Sequence, residues 1–345
     1  MTDTIEMLDE IKLGTYLEKS MAGFKGPFTA RKFKDGQSNP TFSIEAASGH
    51  YVLRRQPPGK LLKLAHAVDR EFRVLTALQQ TDVPVAQVYH LCQDPDIIGS
   101  WFYLMEYIPG RVYWNAALPE LTDNACRHAL YSEIIRTLVA IHSVDIEAVG
   151  LSDYGRPSHY FERQLARWTQ QYRASETQTI AAMDILIDWL ALHLPTDDGR
   201  LVLVHGDYNL DNLMFHPAEP RILAVLDWEL STLGHPFADL AYLCMRMRLS
   251  DIFNGTAGMD RTALGIPHEK DIIEAYCQQM GVGKIAGWPF YLAFAFFRLG
   301  AIAQGVAKRA ILGNASHKQA ARAGEQVEML ASLALTVIDN EQELS

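Results

Sequence analysis

The sequence predicts an α+β chain of two lobes, a small β-rich N-terminal lobe over residues 1–108 and a larger helical C-terminal lobe over residues 109–345. Three observations lead there. From Thr29 to about Ile108 the chain runs through short stretches of strand type, TFSIEA, HYVLRR and WFYLMEYI, set apart by Gly, Pro and Asp. At Pro109 and Gly110 this pattern breaks, and beyond it apolar residues recur at helical spacing. Finally, 345 residues at 48% hydrophobic can bury a substantial core, and the length suits two packed units better than one.

Within the N-terminal lobe a single helix interrupts the strands, over about 65–79, where Val68, Phe72, Leu75 and Leu78 repeat at three and four residues. In the C-terminal lobe helical stretches are expected near 122–143, 158–193, 236–248, 269–280 and 288–311, with strand-like pieces around 201–226 among them. The run WPFYLAFAFFRLGAIAQGV, Trp288 to Val306, is long enough to suggest a membrane span. Pro289, Arg298 and Gln304 interrupt it, so a buried core helix is expected and no membrane partner.

A formal net charge of -10 argues against a general nucleic-acid binder, which needs clustered Lys and Arg to neutralise phosphates. A small-molecule partner fits better. Cys92, Cys126, Cys244 and Cys277 lie far apart without a C-x-x-C pair, which indicates neither a zinc site nor a disulfide framework. The start MTDTIEMLDEIKL is acidic and lacks the features of a secretory signal, so a reducing cytoplasm is the expected location.

The chemistry concentrates in LVHGDYNLDNLMF, residues 203–215, where His205, Asp207, Asn209, Asp211 and Asn212 crowd between two apolar runs. Asp and Asn are poor strand formers, which makes this a loop with a task. A second apolar run, ILAVLDWE, ends with Asp227, so a strand, loop, strand, turn, strand unit could bring Asp207, Asn212 and Asp227 to one end. Two carboxylates and an amide oxygen are hard ligands suited to magnesium. Phosphoryl transfer uses such a set: one Asp takes the proton of the attacking hydroxyl, and an Asn and a second Asp hold the metal on the phosphates. Any one of these residues could be a simple turn former, but the joint spacing H-G-D-x-x-x-x-N followed by a buried run into D-W-E is specific. A metallophosphoesterase on His205, Asp207 and His235 is a competing use that lacks the further ligands a two-metal site needs.

The stretch VHGDYNLDNLMFHPAEPRILAVLDWELSTLGHPFADLA, residues 204–241, resembles the aminoglycoside phosphotransferase family of protein-kinase-like enzymes, and the resemblance extends over most of the chain. It implies a two-lobed protein-kinase-like fold using ATP and Mg, with Asp207 as catalytic base, Asn212 and Asp227 as metal ligands, Asp239 bracing the loop and His205 packing rather than reacting. In the first lobe it places the phosphate-covering turn at FKDGQSNPTF, with Gly36 and Ser38. Arg54 stands where the family usually has a phosphate-contacting Lys, a departure that exchanges a point charge for a planar fork, with Arg55 beside it. Glu71 would be its ion-pair partner from the helix. YLMEYIPG would be the hinge, with Met105 behind the adenine and the Glu106 carbonyl and Ile108 amide bonding the base.

No regulatory activation segment is expected, because STLGHPFADLA runs almost straight into a helix. Residues 111–200 would help to form the acceptor site. There RPSHYFERQLARWTQQY, like YVLRRQPPGKLLKLAHAVDREF, resembles the kinase-type domain found fused to acyl-CoA dehydrogenases in larger proteins, which implies a hydroxyacyl-type acceptor. Charge agrees: on a continuous helix Arg156, Arg163 and Arg167 share one face beside Trp168 and Tyr172, with Arg173 following and Glu162 opposing, although Asp184, Asp188, Asp197 and Asp198 come after. A small-molecule hydroxyl substrate bearing negative charge is the expectation. An aminoglycoside or amino-alcohol kinase, and a nucleotide-binding module without turnover, are the rival readings.

Overall fold

The computed structural model describes residues 8–33, 39–57, 67–311 and 323–342. Gly36 and Ser38 lie outside the described residues. The chain packs into two units: residues 1–112, 148–151 and 212–230 form unit 1, and residues 113–147, 152–211 and 231–345 form unit 2.

Unit 1 begins with helix α1 (Glu10–Ser20), whose first turn is capped by Asp9 accepting from the Lys12 amide at 3.0 Å. A five-stranded antiparallel sheet follows, from β1 (Phe28–Lys32), β2 (Thr41–Ala46), β3 (Gly49–Arg55), β4 (Val88–Cys92) and β5 (Phe102–Glu106), in the order β1-β2-β3-β5-β4. Alternation puts Phe42 and Ile44 of β2 inside, where they join Leu13 and Leu17 of α1 and Phe102 and Leu104 of β5 in one core. Helix α2 (Val68–Leu78) turns Val68, Glu71, Val74, Leu75 and Leu78 inward.

Unit 2 contains α3 (Asn124–His142), α4 (Tyr160–Ser175), α5 (Ala181–Leu192) and the short strand β6 (Val202–Val204). In unit 1, β7 (Leu213–Phe215) pairs with β8 (Ile222–Val225). In unit 2, β9 (Thr232–Gly234) pairs with β6, and α6 (Phe237–Met247), α7 (Arg261–Leu264), α8 (Glu269–Met280), α9 (Trp288–Ile311) and α10 (Ala323–Gln342) complete the helices. Helix α9 is the long apolar stretch noted in the sequence; it packs against α10, α4, α6 and α5, and 78% of its most apolar window is buried. It is a core helix.

The contacts divide the chain differently from a single cut after residue 108. The strand pair β7–β8 belongs with unit 1 because its edge binds there: Arg111 and Phe215 exchange backbone bonds at 2.9 and 2.8 Å, and the Val225 amide donates to the Pro84 carbonyl at 2.8 Å. Gly110 permits that approach, since a Cβ there would come within 2.8 Å of the Met214 side chain and the Phe215 carbonyl. The single helical stretch expected over 158–193 is two helices, because Ser175 turns its hydroxyl back to the carbonyls of Gln171 and Tyr172, both at 2.9 Å. Gln304 of α9 then donates to the Ser175 carbonyl at 2.9 Å and to the Thr177 hydroxyl at 3.1 Å, satisfying the broken end.

Candidate active site

In unit 2 the chain leaves β6 into His205, Gly206 and Asp207, and the loop is fixed through its backbone. Asp239, fully buried in the first turn of α6, accepts from the amides of His205 at 2.7 Å and Gly206 at 2.8 Å. A carboxylate at zero exposure needs further donors, and His142 of α3 provides one, with Nε2 at 3.3 Å from Asp239 and Nδ1 at 2.7 Å from the Tyr276 hydroxyl. Burial by itself would raise the Asp239 pKa; the hydrogen bond and charge of His142 and the loop amides outweigh it and hold the carboxyl below its usual value. On the other side of the loop, Arg298 of α9 donates to the Gly206 carbonyl.

His205 is buried at zero exposure and takes the Asp207 amide on Nδ1 at 3.2 Å, which suits packing and loop shape. Asn209 spans the turn, donating to the Asp207 carbonyl at 3.2 Å and accepting from the Asp211 amide at 3.4 Å. Tyr208 reaches α3, with its hydroxyl on the Ile134 carbonyl at 2.7 Å. Asp207 itself is hydrogen-bonded to the Tyr242 hydroxyl, whose pKa burial and that carboxylate push up. Sequence reasoning did not bring His142, Tyr242 or Tyr276 to this loop, and it noted Arg298 only as an interruption of the apolar run. A buried polar residue inside an otherwise apolar helical run, as at His142 and Arg298, was the available signal.

In unit 1 the strand pair β7–β8 aligns Asn212, one residue before β7, with Asp227, two residues after β8, and the Leu226 amide donates to the Asn212 carbonyl at 2.8 Å. Asp227 sits in left-handed backbone at φ 58°, which turns the chain into the buried Trp228. Arg54 of β3 places Nε at 2.7 Å from Glu71 Oε2 and an outer nitrogen at 2.6 Å from Asp227 Oδ1. The pair of Arg54 with the α2 glutamate is therefore present, and its fork reaches a second carboxylate. Glu71, 1% exposed, also accepts from Asn39 Nδ2 at 2.8 Å and the Tyr103 hydroxyl at 3.0 Å. Burial raises the Glu71 pKa while Arg54 opposes it, and the two carboxylates hold the guanidinium firmly protonated.

Oxygen atoms of Glu71, Asp227 and Glu229 all lie within 4.8 Å of one another. The donors gathered there are oxygen, the set that a hard divalent cation prefers. Glu229 was not singled out from sequence, although it stands two residues beyond Asp227 in D-W-E. At the end of β5 the Glu106 amide donates to the Gln87 carbonyl at 2.7 Å, and the Ile108 carbonyl accepts from the Gly110 amide at 3.0 Å.

The arginine stripe expected before the loop is altered. Helix α4 starts at Tyr160, after left-handed Ser158 and His159, so Arg156 stands off it. Trp168 and Tyr172 are core residues at 4% and 0% exposure, unavailable for stacking on an acceptor. Arg173 is neutralised by Glu176 at 2.8 Å and Asp184 at 2.5 Å. Arg163 and Arg167 remain on the helix.

A family model for the phosphotransferase enzyme family, APH, matches residues 29–264. A solved structure from Ralstonia eutropha, provisionally described as an aminoglycoside phosphotransferase, superposes with a TM-score of 0.88 at 47% identity, over 97% of this chain and 99% of that one. The chain belongs to the aminoglycoside phosphotransferase family. It has the family's kinase-like fold, with a β-sheet N-terminal region and a helical C-terminal region, and is a phosphotransferase. Family resemblance in the fold extends to an aminoglycoside phosphotransferase, APH(4)-Ia, solved with AMP-PNP and hygromycin B, at a TM-score of 0.62 and 13% identity over 94% of this chain and 98% of that one. Among curated proteins the chain is similar to acyl-CoA dehydrogenase family member 10 of Mus musculus, 48% identical over 92% of this chain, and family member 11 of Rattus norvegicus, 41% identical over 96%. It spans 30% and 44% of the length of those two relatives. No activation segment separates Asp227 from α6: β9 follows and the helix begins at Phe237.

Proposed function

We propose that this phosphotransferase moves the terminal phosphoryl group of ATP, with Mg, to the hydroxyl of a small anionic acceptor, a hydroxyacyl-CoA or a related molecule. The observation that carries the reading is the Arg54 fork on Glu71 and Asp227, at 2.7 and 2.6 Å. A half-buried corner that gathers an arginine with carboxylates has a use where phosphates and a cation arrive together. In this reading Arg54 contacts the phosphates and is oriented by Glu71, and Gly36 and Ser38 cover them. The backbone of Glu106 and Ile108 holds the base. Asn212 and Asp227 hold magnesium, which when bound neutralises phosphate charge. Asp207, held by Tyr242, accepts the proton of the acceptor hydroxyl.

The anionic acceptor rests on Arg163 and Arg167, because a polycationic aminoglycoside would call for carboxylates in their place. The reducing cytoplasm is the setting we assign, in keeping with four free cysteines. The test is incubation with ATP and magnesium against hydroxyacyl-CoA esters, free hydroxy acids, amino-alcohols and aminoglycosides, with phosphate incorporation read by mass. Phosphorylation of an anionic acceptor is expected. Turnover of an aminoglycoside or amino-alcohol alone would replace the acceptor class, and tight nucleotide binding without any turnover would favour the binding-module reading.

A further inference from the structure

Helix α9 carries an arginine in the middle of its apolar run. Arg298 is 6% exposed, and its Nε has no hydrogen-bond partner among the described residues. One outer nitrogen grips the Gly206 carbonyl, and the guanidinium carbon lies 5.3 Å from the centre of the Tyr242 ring and 5.4 Å from that of Trp168. Arg167 of α4 lies over the same indole, 5.5 Å from its centre. Two guanidinium groups thus share one tryptophan, and among the described residues neither forms an ion pair. Desolvation and then the Arg298 charge push the Arg167 pKa below the usual arginine value, the mark of two like charges in each other's field. Tyr160 adds a phenol in the same field: burial raises its pKa to about 12, Arg298 pulls against it, the Asp239 carboxylate adds to it, and Arg167 and Arg163 oppose it in turn.

Burying an arginine without a carboxylate is costly, and placing a second arginine beside it adds repulsion. Loop support alone explains one donor of Arg298, on Gly206, and leaves its buried Nε without a partner among the described residues. We propose that Arg298 of α9 and Arg167 of α4, which both lie over the Trp168 indole, form a seat for an anionic group of the acceptor, next to the loop that carries Asp207. Arg298 is then a specificity-determining residue: one edge of its fork fixes the Gly206 carbonyl, and the remaining donors with Arg167 hold the anion. An occupied seat relieves the repulsion and places the acceptor at a fixed distance from Asp207. A cationic acceptor is disfavoured by the same field. This inference deepens the acceptor class proposed above and rests on it for its role in the reaction, whereas anion binding itself does not depend on turnover.

The experiment titrates the nucleotide-free full chain with butyrate and with inorganic phosphate, reading equilibrium binding by calorimetry, for wild type, Arg167→Met and Arg298→Lys. Arg167 is at the surface, so Arg167→Met tests the seat in a folded protein even if Arg298→Lys is unstable. Saturable binding in wild type, weakened about tenfold or more in Arg167→Met, is expected, since a charge-assisted hydrogen bond of about 1.5–3 kcal/mol corresponds to at least that ratio. Counting only the binding that Arg167→Met weakens, since phosphate held at Arg54 would not respond to it, a preference for butyrate marks a carboxylate-bearing acceptor and a preference for phosphate a phosphate-bearing carrier; either supports the seat. Absence of saturable binding of both anions to wild type, or binding unchanged in Arg167→Met, overturns it. Anion binding in a protein that phosphorylates no acceptor would instead sink the proposed function and leave the seat standing.

Discussion

The charged corner of unit 1 and the His205–Asp207 loop of unit 2 both depend on a buried carboxylate, but the two carboxylates are used in opposite ways. Asp239 spends its oxygens on backbone amides, at 2.7 and 2.8 Å, and on His142. Glu71 spends its oxygens on side chains, Arg54, Asn39 and Tyr103, and Arg54 extends the chain of charge to Asp227. Bonds to backbone fix a shape. Bonds between ionised side chains can be exchanged for bonds to an arriving phosphate or cation at small cost, because one charge partner replaces another. The difference teaches which region is built as a rigid scaffold and which is built of charges that could be exchanged, the property the proposed function requires of it.

The largest expected effect separates the two regions. Asp227→Ala should abolish turnover and the magnesium dependence of nucleotide binding, since it removes the partner of Arg54 and, on the proposed function, a cation ligand. Asp207→Ala should leave nucleotide affinity near wild type while turnover falls by roughly 10²–10⁴-fold, the usual range for loss of a general base. Nucleotide titrations with and without magnesium, beside steady-state rates, check the division; equal loss of nucleotide binding in both variants would break it.

Next in size is the scaffold. Asp239→Ala strands two buried amides and the His142 ring, and should cost about 3–5 kcal/mol of stability by denaturant unfolding. The folded pKa of Asp239 is depressed, so its contribution is present above the ordinary carboxylate value and is lost as pH falls through the lower folded one. Asp239→Asn should therefore show a flatter acid limb of stability than wild type. An unchanged acid limb would mean that His142 and the amides contribute nothing to holding the charge.

The smallest effect tests the fork. Arg54→Lys keeps the charge and gives up simultaneous planar contact with Glu71 and Asp227, so the nucleotide Michaelis constant should rise by about tenfold, one charge-assisted bond, with the fold retained. Wild-type kinetics in Arg54→Lys would show that the corner needs only a point charge.

Family membership was legible because residue type and spacing act together: Asp207, Asn212 and Asp227 form a recognisable pattern where single Asp and Asn residues are uninformative. The strand alternation of β2 and the apolar period of α2 were equally plain, since each depends on neighbours a few residues away. Helix α1 was not anticipated, because its short amphipathic pattern has meaning only beside the sheet that Leu13 and Leu17 cover. The α4–α5 break is supported by Gln304, which lies 129 residues from its acceptor at Ser175 and satisfies the broken end.

By itself, then, the sequence determined the class of chemistry, the α+β class of fold, and the partnership of Arg54 with Glu71. Tertiary structure alone decided that β7–β8 joins unit 1, that Trp168 and Tyr172 are core, that Arg173 is neutralised, and that Arg298 meets both Gly206 and the indole beside Arg167. The physical reason is range. Local period and residue chemistry act over a few positions, whereas burial, charge compensation and loop support are set by groups that only folding brings within a few ångströms.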